Sequence, residues 1–386
     1  MSITPTLVAS LRIAHLVVII FARREHGSLS FVILGNGLAC LPFFGAKELL
    51  KSVGVILVIS IAVTFICQST LPPPPRICGQ PGGPPVTPPR VKLRDGRHLA
   101  YKEFGVPKEN AKFKIVYVHG FANSRHDVII IKDAIVFCHL IFLRAGYGES
   151  DPDPKRTIKS MALDIEELAD QLKLGDKIYL VGFSMGGQSV WGSLEFIPHR
   201  LAGAALLAPV VNYWWSGFPE SLSHEAFRQQ LPQDQWTVRV VHYFPWLTYW
   251  WNTQKLFPAS SVAAGKIVFS RQDYEIFSKI TFSDGTNHKE QTKQQGEFES
   301  LHRDMMIGFG NWEFSPMNLT NPFESKRGLV HLWQGDEDTL VPVTLQRYIA
   351  QRLPWIKYHE LAGAGHVFPL AEGKAEAILR ALLLGD

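Results

Sequence analysis

The 386-residue chain is 46% apolar and 19% charged, a composition that buries a sizeable core and excludes a disordered chain. Its 39 basic and 35 acidic residues leave a formal net charge of +4, too near neutral and too evenly spread for a nucleic-acid partner, and compatible with an anionic membrane nearby. Four cysteines are too few for a disulfide scaffold, and none of Cys40, Cys67, Cys78 and Cys138 has a metal-ligand spacing, so no metal or other cofactor is expected.

Residues 1–70 form an N-terminal hydrophobic region. Leu7 to Phe21 is one apolar run, interrupted by Arg12 and His15, and Phe31 to Phe44 is a second, broken by glycines and Pro42. Arg12 makes the first a poor signal peptide. A third run, Val53 to Cys67, carries no charge. With its flank it approaches the ~20 residues that span a bilayer as a helix, so a single-pass membrane anchor is expected at about 53–67. Lys47 and Lys51 precede it and Arg76 follows, which places the N-terminus in the cytosol and the bulk of the chain across the membrane. Prolines and glycines crowd residues 71–90. They cannot enter a helix or a central strand, so this stretch reads as a semi-rigid linker with a domain boundary near residue 90.

From there strands and helices alternate. Val91 to Phe104 reads as a hairpin about Asp95-Gly96, and Lys114 to Val118 as a buried strand. Ile158, Met161, Ala162, Ile165, Leu168, Ala169 and Leu172 recur at helical spacing, with Gly175 just past the end. A strand at 177–182, a helix at 185–196 and a strand at 201–210 follow. Further strands at 329–333 and 356–361 each precede a helical stretch. This is an α/β pattern, a mainly parallel sheet with helices on both faces, whose sites form at strand C-termini. From about residue 212 to 327 the alternation stops and tryptophans accumulate, as in a helical cap or, equally, a second small core.

Chemistry gathers at the strand ends. Gly182-Phe183-Ser184-Met185-Gly186-Gly187 lies between a strand and a helix, where a tight turn exposes a serine hydroxyl and leaves no room for a Cβ at its glycines. A serine needs a base, and the base an orienting carboxylate. His366, in Gly363-Ala364-Gly365-His366, supplies the first by its position. For the second, Asp336, Glu337 and Asp338 all fit by spacing. Val118-His119-Gly120-Phe121 ends an earlier strand, and the Phe121 and Met185 amides are expected to form an oxyanion hole. His119 reads as a structural residue bonded to loop backbone.

Together with the Arg144 to Ser150 loop, these motifs resemble the α/β-hydrolase superfamily, in particular plant serine hydrolases of the AB-hydrolase-1 type, over roughly residues 90–386. The resemblance implies an α/β-hydrolase fold at 91–386 with a cap insertion at about 212–327. It also implies a Ser184, His366, Asp338 triad, because a family pattern of glycine, aspartate and Val-Pro falls on Gly335, Asp338 and Val341-Pro342, with Asp336 second. Family members often carry Asp and Pro where this chain has Leu143 and Ala145. The 120–144 stretch also looks short for a helix plus a strand, which bears on packing beside the oxyanion loop.

The leading expectation is hydrolysis of a carboxylic ester or related acyl bond, through an acyl-enzyme on Ser184, of a small-molecule substrate with an apolar portion. Acyl transfer to an alcohol uses the same intermediate. Epoxide hydrolysis prefers aspartate at the nucleophile position. A ligand receptor or scaffold that has lost turnover is the rival from another class.

Overall fold

The structure is a computed structural model that describes residues 17–22, 29–34, 37–40, 46–125, 137–142, 144–279, 288–323 and 329–385. The chain divides into two compact units, Met1–Ser69 and Thr70–Asp386.

In the first unit, Val17–Ala22, Leu29–Leu34 and Gly37–Cys40 pair as a three-stranded antiparallel sheet. A 25-residue helix, Ala46–Thr70, follows. Val53, Val55, Ile56, Leu57, Val58, Ile59 and Ile61 are exposed on it. Among the described residues no helix is long and apolar enough to cross a membrane. The single-pass anchor expected at 53–67 lies in this helix, and the side chains of residues 62, 63 and 65–67 are outside the described ones.

The second unit is built on eight strands. In chain order they are β1 (Arg90–Lys92), β2 (His98–Gly105), β3 (Phe113–Val118), β4 (Phe137–Phe142), β5 (Ile178–Phe183), β6 (Leu201–Leu207), β7 (Val330–Gly335) and β8 (Ile356–Leu361). They lie in the spatial order β8-β7-β6-β5-β3-β4-β2-β1. The β1–β2 and β2–β4 pairs are antiparallel and every other pair is parallel. Residues 71–90 belong with this unit. The Arg76 and Cys78 amides donate to Gln295, and the Thr87 hydroxyl donates to Glu149, so the expected linker is docked along its length. Burial pushes the Cys78 thiol up to about 11, with help from Glu149 and Asp151 and against Arg90, which leaves it un-ionised at neutral pH.

Alternate residues of the central strands feed two cores, one on each face. Val116, Val118, Leu180, Leu206 and Leu332 pack with helices α1 (Ile158–Gln171) and α2 (Gly186–Phe196). Ile115, Tyr117, Val181, Leu207 and Trp333 pack on the other side with the C-terminal helix, Lys374–Leu384. A fully buried aliphatic side chain of this kind contributes about 1.5–3 kcal/mol. Helix α1 begins at a reciprocal capping box between Thr157 and Ser160 and ends where Lys173 and Gly175 turn left-handed.

Between β6 and β7 the described residues hold helices and no strand. These include α3 (Glu220–Arg228), α4 (Pro232–Tyr243), α5 (Thr248–Thr253), α6 (Arg271–Lys279), α7 (His288–Thr292) and α8 (Arg303–Phe309). The insertion is no separate core. Buried Trp215 stacks edge-on against Trp191 of α2 and lies 4.8 Å from Trp312, so its base continues the main core.

Candidate active site

Register brings two loops together. Val118 of β3 pairs with Gly182 of β5, so the residues that follow each strand emerge side by side. A Cβ on Gly186 would collide with the Val118 carbonyl, and one on Gly120 would crowd Ser184. Glycine at these places lets the two loops touch.

Ser184 sits in the β5–α2 turn with φ +53. A left-handed conformation outside glycine costs of order 1–3 kcal/mol and persists only where its surroundings fix it. Here the Ser184 amide donates to the Leu207 carbonyl at 2.8 Å, and its own carbonyl accepts from the Gly187 and Val210 amides. The turn is held from three sides, and the side chain has one direction to point.

It points at His366. The distance from Ser184 Oγ to His366 Nε2 is 3.0 Å, and His366 Nδ1 lies 2.8 Å from Asp338 Oδ2. A carboxylate can only accept, so Nδ1 carries the proton and Nε2 is free to take one from the hydroxyl. Asp338 accepts further bonds from the Leu340 and Val341 amides and from Gln334 Nε2, which fix its plane. All three residues are buried. Burial alone would lower the His366 pKa; the charge and hydrogen bond of Asp338, with the charge of Asp273, outweigh it, and the net shift is upward.

The three carboxylates that spacing left open are separated by the fold. Asp336 accepts the Gly363 amide at 2.7 Å and Glu337 is exposed. Only Asp338 meets the imidazole. His119 is fully buried, and its Nε2 accepts the Arg144 amide while Nδ1 donates to the Gly120 carbonyl. Burial, then the nearby Arg144 and Arg156 charges, hold its pKa well below the usual range, so it is a neutral strut for the loop. The Phe121 and Met185 amides lie on the two loops flanking Ser184 and take part in none of the turn and loop backbone bonds between described residues.

Sequence reading missed what the cap contributes. Asp304 of α8 forms ion pairs with Arg144 Nη1 at 2.6 Å and Arg156 Nη2 at 3.1 Å and accepts a hydrogen bond from the Tyr147 hydroxyl at 2.7 Å, all buried. Arg144 in turn donates to the Gly120 carbonyl at 3.0 Å. Asp273 of α6 reaches the loop that carries His366. The spacing Ser270-x-x-Asp273 signals a helix start in the sequence, but nothing local tells what lies across from it. Leu143, singled out for its departure from the family, and residues 126–136 lie outside the described residues. Ala145 is buried with its carbonyl bonded to Arg156, and β4 supplies the strand that the short stretch seemed to lack. Among the described residues no cluster of three or more His, Cys, Asp or Glu is placed to hold a metal ion.

Comparison with known proteins agrees with this architecture. A protein named for 2-succinyl-6-hydroxy-2,4-cyclohexadiene-1-carboxylate synthase, from Bacillus subtilis (strain 168), is 30% identical over 120 residues, which are 30% of this chain and 42% of that relative. The chain thus matches less than half the length of that relative. Among solved structures, a thermophilic esterase from Thermogutta terrifontis is similar at 19% identity and a TM-score of 0.51, over 77% of this chain and 98% of that one. An enol-lactonase from Burkholderia xenovorans LB400 is similar at 17% identity and a TM-score of 0.52, over 77% and 100%. At such identities they share the fold. The family model for the alpha/beta hydrolase fold matches residues 115–372, a span that includes Ser184, Asp338 and His366. That match covers more than half of the sequence, and the chain belongs to the alpha/beta hydrolase fold family.

Proposed function

We propose that the protein is a serine hydrolase that cleaves a carboxylic ester through an acyl-enzyme on Ser184. The hydrogen-bonded chain from Ser184 Oγ through His366 to Asp338 carries this reading. His366 takes the hydroxyl proton as Ser184 attacks the carbonyl carbon, then returns it to the leaving alcohol. Asp338 holds the ring and balances the imidazolium. The Phe121 and Met185 amides donate to the oxygen that gains charge, a contribution of about 3–4 kcal/mol where such a donor has been removed in other enzymes. Water, activated by the same imidazole, releases the acid. The esterase and enol-lactonase among the fold neighbours are in keeping with acyl chemistry.

A fluorophosphonate probe tests the reading directly. Wild type labels covalently and Ser184→Ala does not; well-folded wild type that resists the probe and hydrolyses no ester in a series of graded acyl length rules the enzyme out. That outcome favours a ligand receptor.

For the first unit we propose attachment to a lipid surface. Seven aliphatic side chains between Val53 and Ile61 face outward on consecutive turns of one helix, a surface that water disfavours and lipid accepts.

A further inference from the structure

The catalytic imidazole hangs from a loop, and the cap holds that loop. Three consecutive amides of the His366 loop end on cap side chains. Gly365 N donates to Gln272 Oε1 at 2.7 Å, His366 N to Asp273 Oδ2 at 3.1 Å and Val367 N to Asp273 Oδ1 at 2.8 Å. On the acid loop, Thr339 Oγ1 donates to the Val268 carbonyl at 2.7 Å. The fit is close enough that a Cβ on Gly365 would collide with Ser270 Oγ and the Asp273 carboxylate.

We propose that Asp273 is a positioning residue for His366, so that docking of helix α6 is a condition of turnover. Asp273 is fully buried, and no ion pair between described residues includes it. Burying a carboxylate without a cationic partner is costly, and backbone amides recover only part of that cost. Capping its own helix accounts for one bond, from Ser270 N to Oδ2 at 3.2 Å. The two bonds to His366 and Val367 lie outside that role, and they determine where the ring starts. A ring displaced by about 1 Å can cost on the order of 100-fold in rate.

The groups that set the charge on His366 come from three elements. Asp338 lies on the loop after β7, Ser184 on the β5–α2 turn and Asp273 on α6, with the Phe183 ring 5.1 Å from the imidazole. Asp273 therefore favours the imidazolium by charge as well as holding the loop by its bonds, and an uncharged replacement moves the titration of His366 toward lower pH.

This inference rests on the serine-hydrolase reading, and the experiment separates the two. For full-length Asp273→Asn and wild type, kcat, KM and the pH profile of kcat/KM are measured with a p-nitrophenyl ester, and His366 is titrated by imidazole NMR in a Ser184→Ala background. Expected are a fall in kcat of roughly 10- to 100-fold, a KM that moves little, and an acid limb and NMR titration displaced to lower pH. Ser270→Ala, which removes the capping hydroxyl and keeps the carboxylate, leaves the acid limb in place. Should Asp273→Asn not fold, Gln272→Ala, which frees only the Gly365 amide, shows a smaller fall in kcat at unchanged KM. An active wild type whose folded Asp273→Asn variant keeps both kcat and acid limb overturns the positioning role, as does a Gln272→Ala that keeps wild-type kcat where Asp273→Asn does not fold. A wild type inert to ester and probe overturns the parent reading instead.

Discussion

At the scale of single residues, the site depends on how many constraints converge on each reacting group. Ser184 has a strained backbone fixed by bonds to Leu207, Gly187 and Val210, and its hydroxyl meets one base. Ser184→Ala is expected to lower kcat/KM by roughly 10⁴-fold or more, with thermal stability within about 1 kcal/mol of wild type because the change is one oxygen. An ester assay beside a melting curve checks both. Asp338→Asn exchanges an acceptor for an amide that can also donate, which favours the imidazole tautomer protonated at the wrong nitrogen. We expect a loss of order 10⁴ in kcat and an unchanged fold, read by the same assay and by circular dichroism. The upward shift of His366 also has a signed consequence. The ring must be neutral to accept the serine proton, so kcat/KM falls as pH drops through an apparent pKa above the ordinary 6.5. A pH–rate profile whose acid limb lies below 6.5 would contradict the balance described for this site.

At the scale of elements, the cap is attached to both halves of the machinery by buried carboxylates. Asp273 holds the histidine loop, and Asp304 holds Arg144 and Arg156 beside the loop of His119 to Phe121. Removing Asp304 leaves two buried guanidinium groups facing one another without their shared anion. Breaking a buried pair from one side costs about 3–5 kcal/mol. Asp304→Ala is accordingly expected to lower the melting temperature by on the order of 10 °C and to reduce kcat through the Gly120 carbonyl that Arg144 no longer holds firmly; calorimetry and the ester assay measure the two effects. These contacts also show what was legible in the sequence. Strands β3, β5 and β6 announce themselves because burial on both faces makes them short, mostly apolar runs, and the serine turn because close packing demands glycine on either side. The choice of Asp338 over Asp336 and Glu337 was not legible from spacing, since it depends on which carboxylate the loop turns inward. Asp273 left only the local signal of a helix start and Asp304 none, because their partners across the site lie about 90 and 160 residues away along the chain, and only the packed cap brings them within reach.

At the scale of the whole molecule, two properties follow from where titratable and apolar groups end up. His302, His331 and His359 are each depressed to about 4 by burial, the last two with the added charge of Lys357, and His331 and His359 share a 2.9 Å contact. Between about 4 and 6.5 the unfolded chain binds protons that the folded one refuses, so stability falls as pH drops across that window. His366 is shifted the other way: its contribution is gained as pH falls through its raised pKa, is complete by about 6.5, and adds nothing further as pH drops across the lower window. The melting temperature is expected to decline by several degrees between pH 7 and pH 5, and a flat profile would show that these rings titrate normally. The second property concerns the helix Ala46–Thr70. Val55, Leu57 and Val58 are each more than half exposed, and moving such a side chain out of water is worth about 1.5–3 kcal/mol, so three together supply enough to hold a chain on a bilayer. Wild-type protein should float with anionic phospholipid vesicles in a density gradient, whereas a full-length variant carrying Val55→Asn, Leu57→Asn and Val58→Asn should stay at the bottom. Hydrolysis of a water-soluble ester should be the same for both, because the substitutions lie outside the catalytic unit. Wild type that remains at the bottom, or a variant that floats equally well, would mean that this apolar surface is covered by something other than lipid.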